Sequence, residues 1–600
     1  MIEEIYPILK NRPFQIDVIE KILNSDKKYI LLDSPTGSGK TIIALVLSDY
    51  YWKNNLITHI AVRTNEEIKR YLEDSNKINT ILKVFPNKKK TCPIFFKSNL
   101  SGEEIICSDC ILRKKLYKPE KLWELLKKAK YNFELLAKRE NKRLNKGKAK
   151  CIYHSFKRID SKIYISTYPY VFNQYLFDLL SLEGEPDILI MDESHNILTT
   201  ITNPYSISFR KYIRNSFRKR GENNLLYKEL KEEISAIGDL LGIPLEDIKF
   251  LDNAIRDLSD SLLNFIENIL IKLYKTNDPL LLIERIEKDI TNREIVIDRE
   301  KLLEIFDKHQ KALENLIEYW DIYKKIVSKT GNIKKSRWNI NKILKFYLFL
   351  NDSNIFWILN RYKIEGYITK FNIIIKALDN YSKVILMSGS NFTKEEFSKL
   401  FGIKLDNIEY IKVNIKLGNK KAEIITNFSS KYDKRKDKRN IENLIGDIKF
   451  IYEKFDKYQL YMFPSAGFMN FIYDQLDIKD KIYLDDGKRS LNKILKTDKE
   501  IIFTYSRSRF IEGVQLVKNN RSLLRTIVII GKPYPPPPTA SYLTYKILKD
   551  NNLNYWDFAK TLEYITIKQV IGRAIRFPDD EVNIIFIDER FGYSEIKKYL

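Results

Sequence analysis

The sequence predicts an α/β protein made of two units of buried parallel strands and helices, the first unit interrupted twice. Three observations point there. Short apolar runs of strand length recur in the N-terminal and C-terminal thirds. One of them breaks into a glycine-rich turn and then an apolar helical stretch. Near the middle, the pattern changes to apolar residues at three- and four-residue spacing.

In chain order, YILLD (29–33) is the run that breaks into SPTGSGKT (34–41) and TIIALVLSDYYW. ITHIAVRT (57–64), SKIYIST (161–167), PDILIMDE (186–193) and SKVILMSG (382–389) read as further buried strands. From about 205 to 370 Gly and Pro become scarce, and LLNFIENILIKLY and KLLEIFDKHQKALENLIEYW carry helical periodicity. That block is expected to be a helical insertion. After about 425 the α/β pattern resumes in YQLYMFPSA (458–466), KEIIFTYS (499–506), RTIVIIGKPY (525–534) and VNIIFID (582–588).

At 600 residues the chain exceeds what one hydrophobic core serves, so several domains are expected. No apolar run reaches the ~18 residues that span a bilayer. The start, MIEEIYPILKNRPFQ, has no basic segment followed by an apolar core. A cytoplasmic protein with no membrane partner, acting as a monomer, is the expectation. The net charge of +25 favours a polyanionic partner. Its distribution is more telling, because residues 111–150 hold 15 Lys/Arg against 4 Asp/Glu. Such a stretch reads as a phosphate-contacting surface, with Lys146, Lys148 and Lys150 as candidate nucleic-acid contacts; a solvated helix face is the plain alternative.

SPTGSGKT follows a strand and opens a helix, the setting a P-loop needs. Ser34, Pro35, Thr36, Gly37, Ser38 and Gly39 form a loop whose backbone N–H groups can cradle phosphates at a helix N-terminus. Lys40 is placed to reach the β- and γ-phosphates of ATP, and Thr41 to hold Mg²⁺. In MDESHN (191–196), Asp192 ends a strand as the second Mg²⁺ residue, and Glu193 is the candidate for orienting and deprotonating the attacking water. His195 is expected to couple ATP to a neighbouring unit. In QVIGRAIRF (569–577), Gln569, Arg573 and Arg576 are spaced by four and three, so one helix face is expected to present all three. Either arginine could reach across a cleft to the γ-phosphate. Gly572 leaves room for another backbone.

The four cysteines, Cys92, Cys107, Cys110 and Cys151, follow C-x14-C-x2-C-x40-C and all lie inside the first interruption. Four thiolates suit a tetrahedral zinc or an iron–sulfur cluster, and the spacing alone leaves both open. The aromatic run IYHSF (152–156) that follows, with Tyr153, serves either to stack bases or to fill a small core.

RPFQ (12–15), SPTGSGKT, AVRTNEE (61–67), DESH, LMSGS (386–390), MFPSA (462–466), SRSRFIEGVQL (506–516) and QVIGRAIR together resemble, in order, the motifs of superfamily 2 helicases. With four cysteines between early motifs and a helical insertion after DESH, the chain resembles the XPD family of DNA helicases along essentially its whole length, most like its short archaeal members. The resemblance implies two RecA-like P-loop NTPase domains, the first interrupted by a small iron–sulfur domain and a helical arch-type domain. The implied boundaries are 1–85, 152–205 and 371–420 for the first RecA-like domain, 86–151 for the iron–sulfur domain, 206–370 for the arch and 421–600 for the second RecA-like domain.

It further implies that Gln15 reads adenine, that Arg63 and Thr64 touch the DNA backbone, and that Glu512 and Gly513 link the DNA and ATP sites. The cysteines are implied to hold a [4Fe–4S] cluster. The chain departs from the family pattern at Gln515, where an acidic residue is usual, and at Ser506 and Arg507. The activity implied is ATP-driven 5′→3′ unwinding of single-stranded and forked DNA, in DNA repair with other repair proteins. The competing readings are a duplex- or RNA-remodelling ATPase that separates no DNA strands, and a DNA-binding scaffold with weak ATPase.

Overall fold

The computed structural model describes residues 2–10, 12–94, 107–200, 205–218, 224–289, 293–330, 339–415, 418–431, 433–485, 499–506, 508, 516–518, 521–575, 577 and 579–600. Glu512, Gly513, Gln515, Arg507 and Arg576 lie outside them. Among the described residues no helix is long and apolar enough to cross a membrane.

Strands β1 (Tyr29–Asp33), β2 (Thr58–Val62), β3 (Lys83–Phe85), β4 (Ile163–Thr167) and β5 (Ile188–Asp192) come first. A small group follows: β6 (Tyr205–Ser208), β7 (Glu294–Val296), β8 (Ile355–Asn360) and β9 (Lys363–Ile368). Next are β10 (Lys383–Ser388), β11 (Ile408–Lys412) and β12 (Asn419–Ile425). The last are β13 (Gln459–Phe463), β14 (Ile482–Leu484), β15 (Ile501–Tyr505), β16 (Val517–Lys518), β17 (Arg521–Ser522), β18 (Thr526–Ile530) and β19 (Glu581–Ile587).

Two all-parallel sheets dominate. The first runs β11-β1-β10-β5-β2-β4-β3 and the second β12-β19-β18-β13-β15-β14. All nine runs read as strands from sequence fall in these sheets. Their continuous apolar character has one cause: helices cover both faces, so β1, β2, β5, β13 and β18 are buried at every residue. The short or polar strands β3, β11, β12 and β14 carry no such run and were not legible in the pattern. In this arrangement loops at the carboxyl ends of strands are where ligands bind.

The block between β5 and β10 is mainly helical, as expected, but it is not wholly so. β6-β9-β8-β7 form an antiparallel sheet within it. Trp357 of β8 packs edge-on to Phe346 from the helix Asn339–Leu350, closing the core of the insertion.

The cysteine window is shared between two cores. Tyr117, Leu122, Leu126, Phe133 and Leu136 pack with Ile42 and Val84 of the first sheet unit. Cys92, Leu112, Ala149, Cys151 and Tyr153 pack instead with the helical insertion. The Ile111 N–H donates to the Ser328 carbonyl at 3.1 Å, and Asp109 faces Lys329 at 3.8 Å. The basic stretch 111–150 is thus anchored by its own apolar residues to the first sheet, rather than forming a free-standing module.

Candidate functional site: a nucleotide cleft between two sheets

The loop after β1 turns sharply through Gly37 and Gly39, at φ 91° and 85°, conformations that favour glycine. The helix Lys40–Lys53 starts at once, so its N-terminal amides face the loop. The Ser34 N–H donates to the Ser388 carbonyl at 2.8 Å, fixing the loop to the end of β10. Lys40 Nζ lies 3.0 Å from the Ser34 carbonyl. The cleft around this loop measures about 640 Å³ and is walled by Gln15, Thr36, Lys40, Thr41, Asp192 and Glu193.

Gln15 is buried, and its amide nitrogen donates to the Ser38 carbonyl at 2.7 Å. Its carbonyl oxygen is left without a hydrogen-bond partner among the described residues. Buried acceptors are normally satisfied, so this oxygen suits an amino group such as that of adenine.

Asp192 ends β5 with one oxygen accepting from the Tyr71 hydroxyl at 3.0 Å and the other from the Glu193 N–H at 3.0 Å. Burial raises its pKa, the Glu193 charge raises it further, and Lys40 opposes them. Glu193 takes a left-handed turn at φ 54° directly after the strand. Two neighbouring carboxylates in a buried cleft, beside the Thr41 hydroxyl, are a donor set that fits Mg²⁺. Burial and the charges of Asp192 and Glu193 also push Glu67 up to about 7.

His195 stands at the seam between the sheets. Its Nδ1 lies 2.5 Å from Ser388 Oγ, and its Nε2 meets the amide of Gln569, which comes from the helix Tyr555–Ala574 of the second unit. An amide nitrogen only donates, so Nε2 accepts and Nδ1–H donates to Ser388. Burial pushes the imidazole pKa down to about 4, with Arg63, Arg573 and Lys40 adding to the shift against Glu193. The ring is neutral at physiological pH.

Gly572 brings the same helix against the P-loop: a Cβ there would sit 3.2 Å from Thr36 Oγ1. The neighbour is a side chain, where another backbone was expected at this glycine. The described helix ends at Ala574, and Ile575 turns to extended backbone. Arg576, the third residue of the expected face, lies outside the described residues. Arg573 stays on the helix, near enough for its charge to act on His195.

Arg63 bonds Asn196 Oδ1 at 3.0 Å, beside the DESH turn. Thr64 is an N-cap: its hydroxyl accepts the Glu67 N–H at 3.3 Å, and the Glu67 carboxylate returns to the Thr64 N–H. Lys146 and Lys148 are exposed. Lys150 lies over the Tyr117 ring at 4.9 Å, and its N–H donates to the buried Glu140. Tyr153 corrects the stacking expectation. It is buried in the insertion's core and hydrogen-bonded to Tyr170, and burial lifts its pKa above the phenol range.

All four cysteines are free thiols. Burial raises the Cys151 pKa, and the charges of Cys92, Cys110 and Cys107 raise it further, so the other three sulfurs lie within electrostatic reach of Cys151. The His154 N–H donates to Cys151 Sγ and the Leu112 N–H to Cys110 Sγ, each at 3.4 Å. Among the described residues no three His, Cys, Asp or Glu form a ready site for a metal ion. Four thiols gathered about Cys151, two of them accepting backbone N–H···S bonds, fit a thiolate-ligated centre in chemistry.

Comparison with known proteins agrees with this arrangement. Residues 8–107 match the family model for the type III restriction enzyme res subunit, 60–213 that named DEAD_2, and 449–600 the helicase C-terminal domain. The ATP-dependent DNA helicase XPD of Sulfolobus acidocaldarius is 25% identical over 99% of this chain and 98% of its own length. A solved XPD helicase aligns over 98% of this chain and 97% of its own, with a TM-score of 0.73 at 21% identity. The structure of Xpd4 from S. tokodaii covers 98% of this chain and 97% of its own, with a TM-score of 0.57 at 19% identity. The two structures share the fold, with both sheet units and both interruptions inside the aligned span.

Proposed function

We infer that this chain, which belongs with the XPD-like ATP-dependent DNA helicases, hydrolyses ATP·Mg²⁺ in the cleft and moves 5′→3′ along single-stranded DNA. It parts forked duplex beside the cysteine-bearing segment, acts as a monomer and serves DNA repair. One observation carries the motor reading: Gln569 of the second unit meets His195 of the first next to Asp192 and Glu193. A change at the phosphate end of the cleft is thereby felt by both units, which an ATPase that moves one lobe against the other requires.

In this reading Lys40 neutralises phosphate charge, Thr41 and Asp192 hold Mg²⁺, Glu193 takes the proton of the attacking water, and Arg573 stabilises the charge that develops. Gln15 receives adenine through its carbonyl oxygen. A [4Fe–4S] centre held by Cys92, Cys107, Cys110 and Cys151 would fasten the basic segment to the helical insertion. Arg63, Lys146 and Lys148 are the backbone contacts proposed for DNA.

The test is unwinding of forked, 5′-tailed and 3′-tailed DNA with and without ATP. ATP-dependent separation of forked and 5′-tailed substrates, with little of the 3′-tailed one, is the expected result. Vigorous DNA-stimulated ATP turnover without strand separation would move the chain to the remodelling reading.

A further inference from the structure

A second cavity, of about 110 Å³, lies in the seam between the two sheets and shares Thr36 and Ile415 as walls with the nucleotide cleft. Lys412, at the end of β11, comes from the first unit; Lys420 of β12 and Lys568 of the helix Tyr555–Ala574 come from the second. Asp33 is the one acid in this lining, and the Tyr410 hydroxyl already donates to it at 3.0 Å. The Lys420 ammonium donates to the main-chain oxygen of Leu600. Among the described residues the side chains of Lys412 and Lys568 form no ion pair or hydrogen bond, and the Lys568 ammonium lies over the Tyr564 ring at 5.9 Å. Burial lowers the Lys568 pKa, and the charges of Lys420 and Lys412 lower it further against Asp33.

Lys412, Lys420 and Lys568 line one small cavity with a single acidic side chain, Asp33, backed by apolar Val413 and Ile571, and their like charges repel in a poorly screened place. A small anion reverses the sign of that interaction. The size excludes a second nucleotide, since the neighbouring cleft measures about 640 Å³ and this cavity about 110 Å³. Gly389 and Gly572, one from each unit, keep Thr36 accessible. A Cβ at either would come within 3.3 Å and 3.2 Å of the Thr36 hydroxyl.

We propose that this seam cavity is an orthophosphate site, held by Lys412, Lys568 and the Thr36 hydroxyl, which receives the phosphate that ATP hydrolysis leaves beside the P-loop. The proposal rests on the ATPase reading for the source of its ligand. It makes departure of phosphate dependent on the fit between the two units, because the binding lysines come from both.

The test is equilibrium dialysis of radiolabelled orthophosphate against the full-length protein saturated with ADP and Mg²⁺. The wild type should bind one phosphate. Lys412→Gln and Lys568→Gln should each weaken it about tenfold, the worth of one charge-assisted hydrogen bond. Lys568→Arg, with its charge retained, should keep most of the affinity, and matching thermal melts should show that the variants fold. No phosphate bound by the wild type, or equal binding by the Gln variants, overturns the site. Loss in Lys40→Ala alone places the phosphate in the nucleotide cleft and also overturns it. DNA-stimulated ATP turnover of the wild type is followed in parallel. Its absence would remove the ATPase reading, while selective loss of phosphate in the Gln variants would still establish the anion site.

Discussion

Replacing His195 tests the link between the two units directly. The ring is buried and neutral, and it donates to Ser388 while accepting from Gln569. His195→Ala removes both bonds; Ser388 Oγ keeps the Ser390 N–H, while the Gln569 amide loses its partner in the seam. An unsatisfied partner costs roughly 1–3 kcal/mol, reduced where water enters the space left by the ring. If the bond to Gln569 carries coupling, His195→Ala and Gln569→Ala remove the same interaction. The double variant should then be less impaired than the sum of the singles by about 1–2 kcal/mol, a factor of roughly 5–30 in DNA-stimulated kcat/KM. The assay is a double-mutant cycle on ATP turnover with saturating single-stranded DNA. Additivity within about 0.5 kcal/mol would refute the reasoning.

The same residue makes a pH prediction with a definite sign. Burial holds the folded His195 pKa at about 4, below the unfolded value of 6.5. The unfolded chain therefore takes up the proton first as pH falls. The stability tied to the neutral ring is complete above pH 6.5 and is lost as pH drops towards 4, by at most about 3 kcal/mol. Denaturant melts of the wild type should decline more steeply over that window than those of His195→Ala. Parallel slopes would mean that the ring is not held neutral.

Lys40→Ala and Glu193→Gln should each remove nearly all DNA-stimulated ATP hydrolysis with the fold intact, and steady-state turnover near wild type by either would reassign the phosphate and water roles. Cys110→Ser should lose the broad visible absorption and the iron of the anaerobically purified protein, keep single-strand-stimulated ATPase and lose strand separation. Stoichiometric zinc without iron or sulfide in the wild type would replace the cluster by a zinc site. Lys146→Glu combined with Lys148→Glu should weaken single-strand binding across all sequences and flatten its salt dependence by ~0.7 for each phosphate no longer neutralised. An unchanged slope in a salt titration would make the stretch a solvated surface.

Much of the chemistry in the cleft was legible because it is local. A P-loop is a strand, a turn that needs positive φ at Gly37 and Gly39, and a helix start, and all three are written within 25 residues. Asp192 and Glu193 sit where an apolar run ends, and the strand's carboxyl end is where an α/β sheet places its ligands. The nine buried strands announced themselves because both faces of each sheet are covered, which requires unbroken apolar sequence.

What the tertiary structure decided depends on residues far apart in the chain. Tyr153 became core and not a stacking platform because the helical insertion and Tyr170 close over it. The helix that carries Gln569 and Arg573 ends at Ala574, and periodicity tells which residues align in a helix but not where the helix ends. The meeting of His195 with Gln569, and of Lys412 with Lys420 and Lys568, joins two separate sheets. Local sequence shapes a strand, a turn or a cap through short-range sterics and hydrogen bonds. Which charges face one another across a seam is settled only when both cores pack.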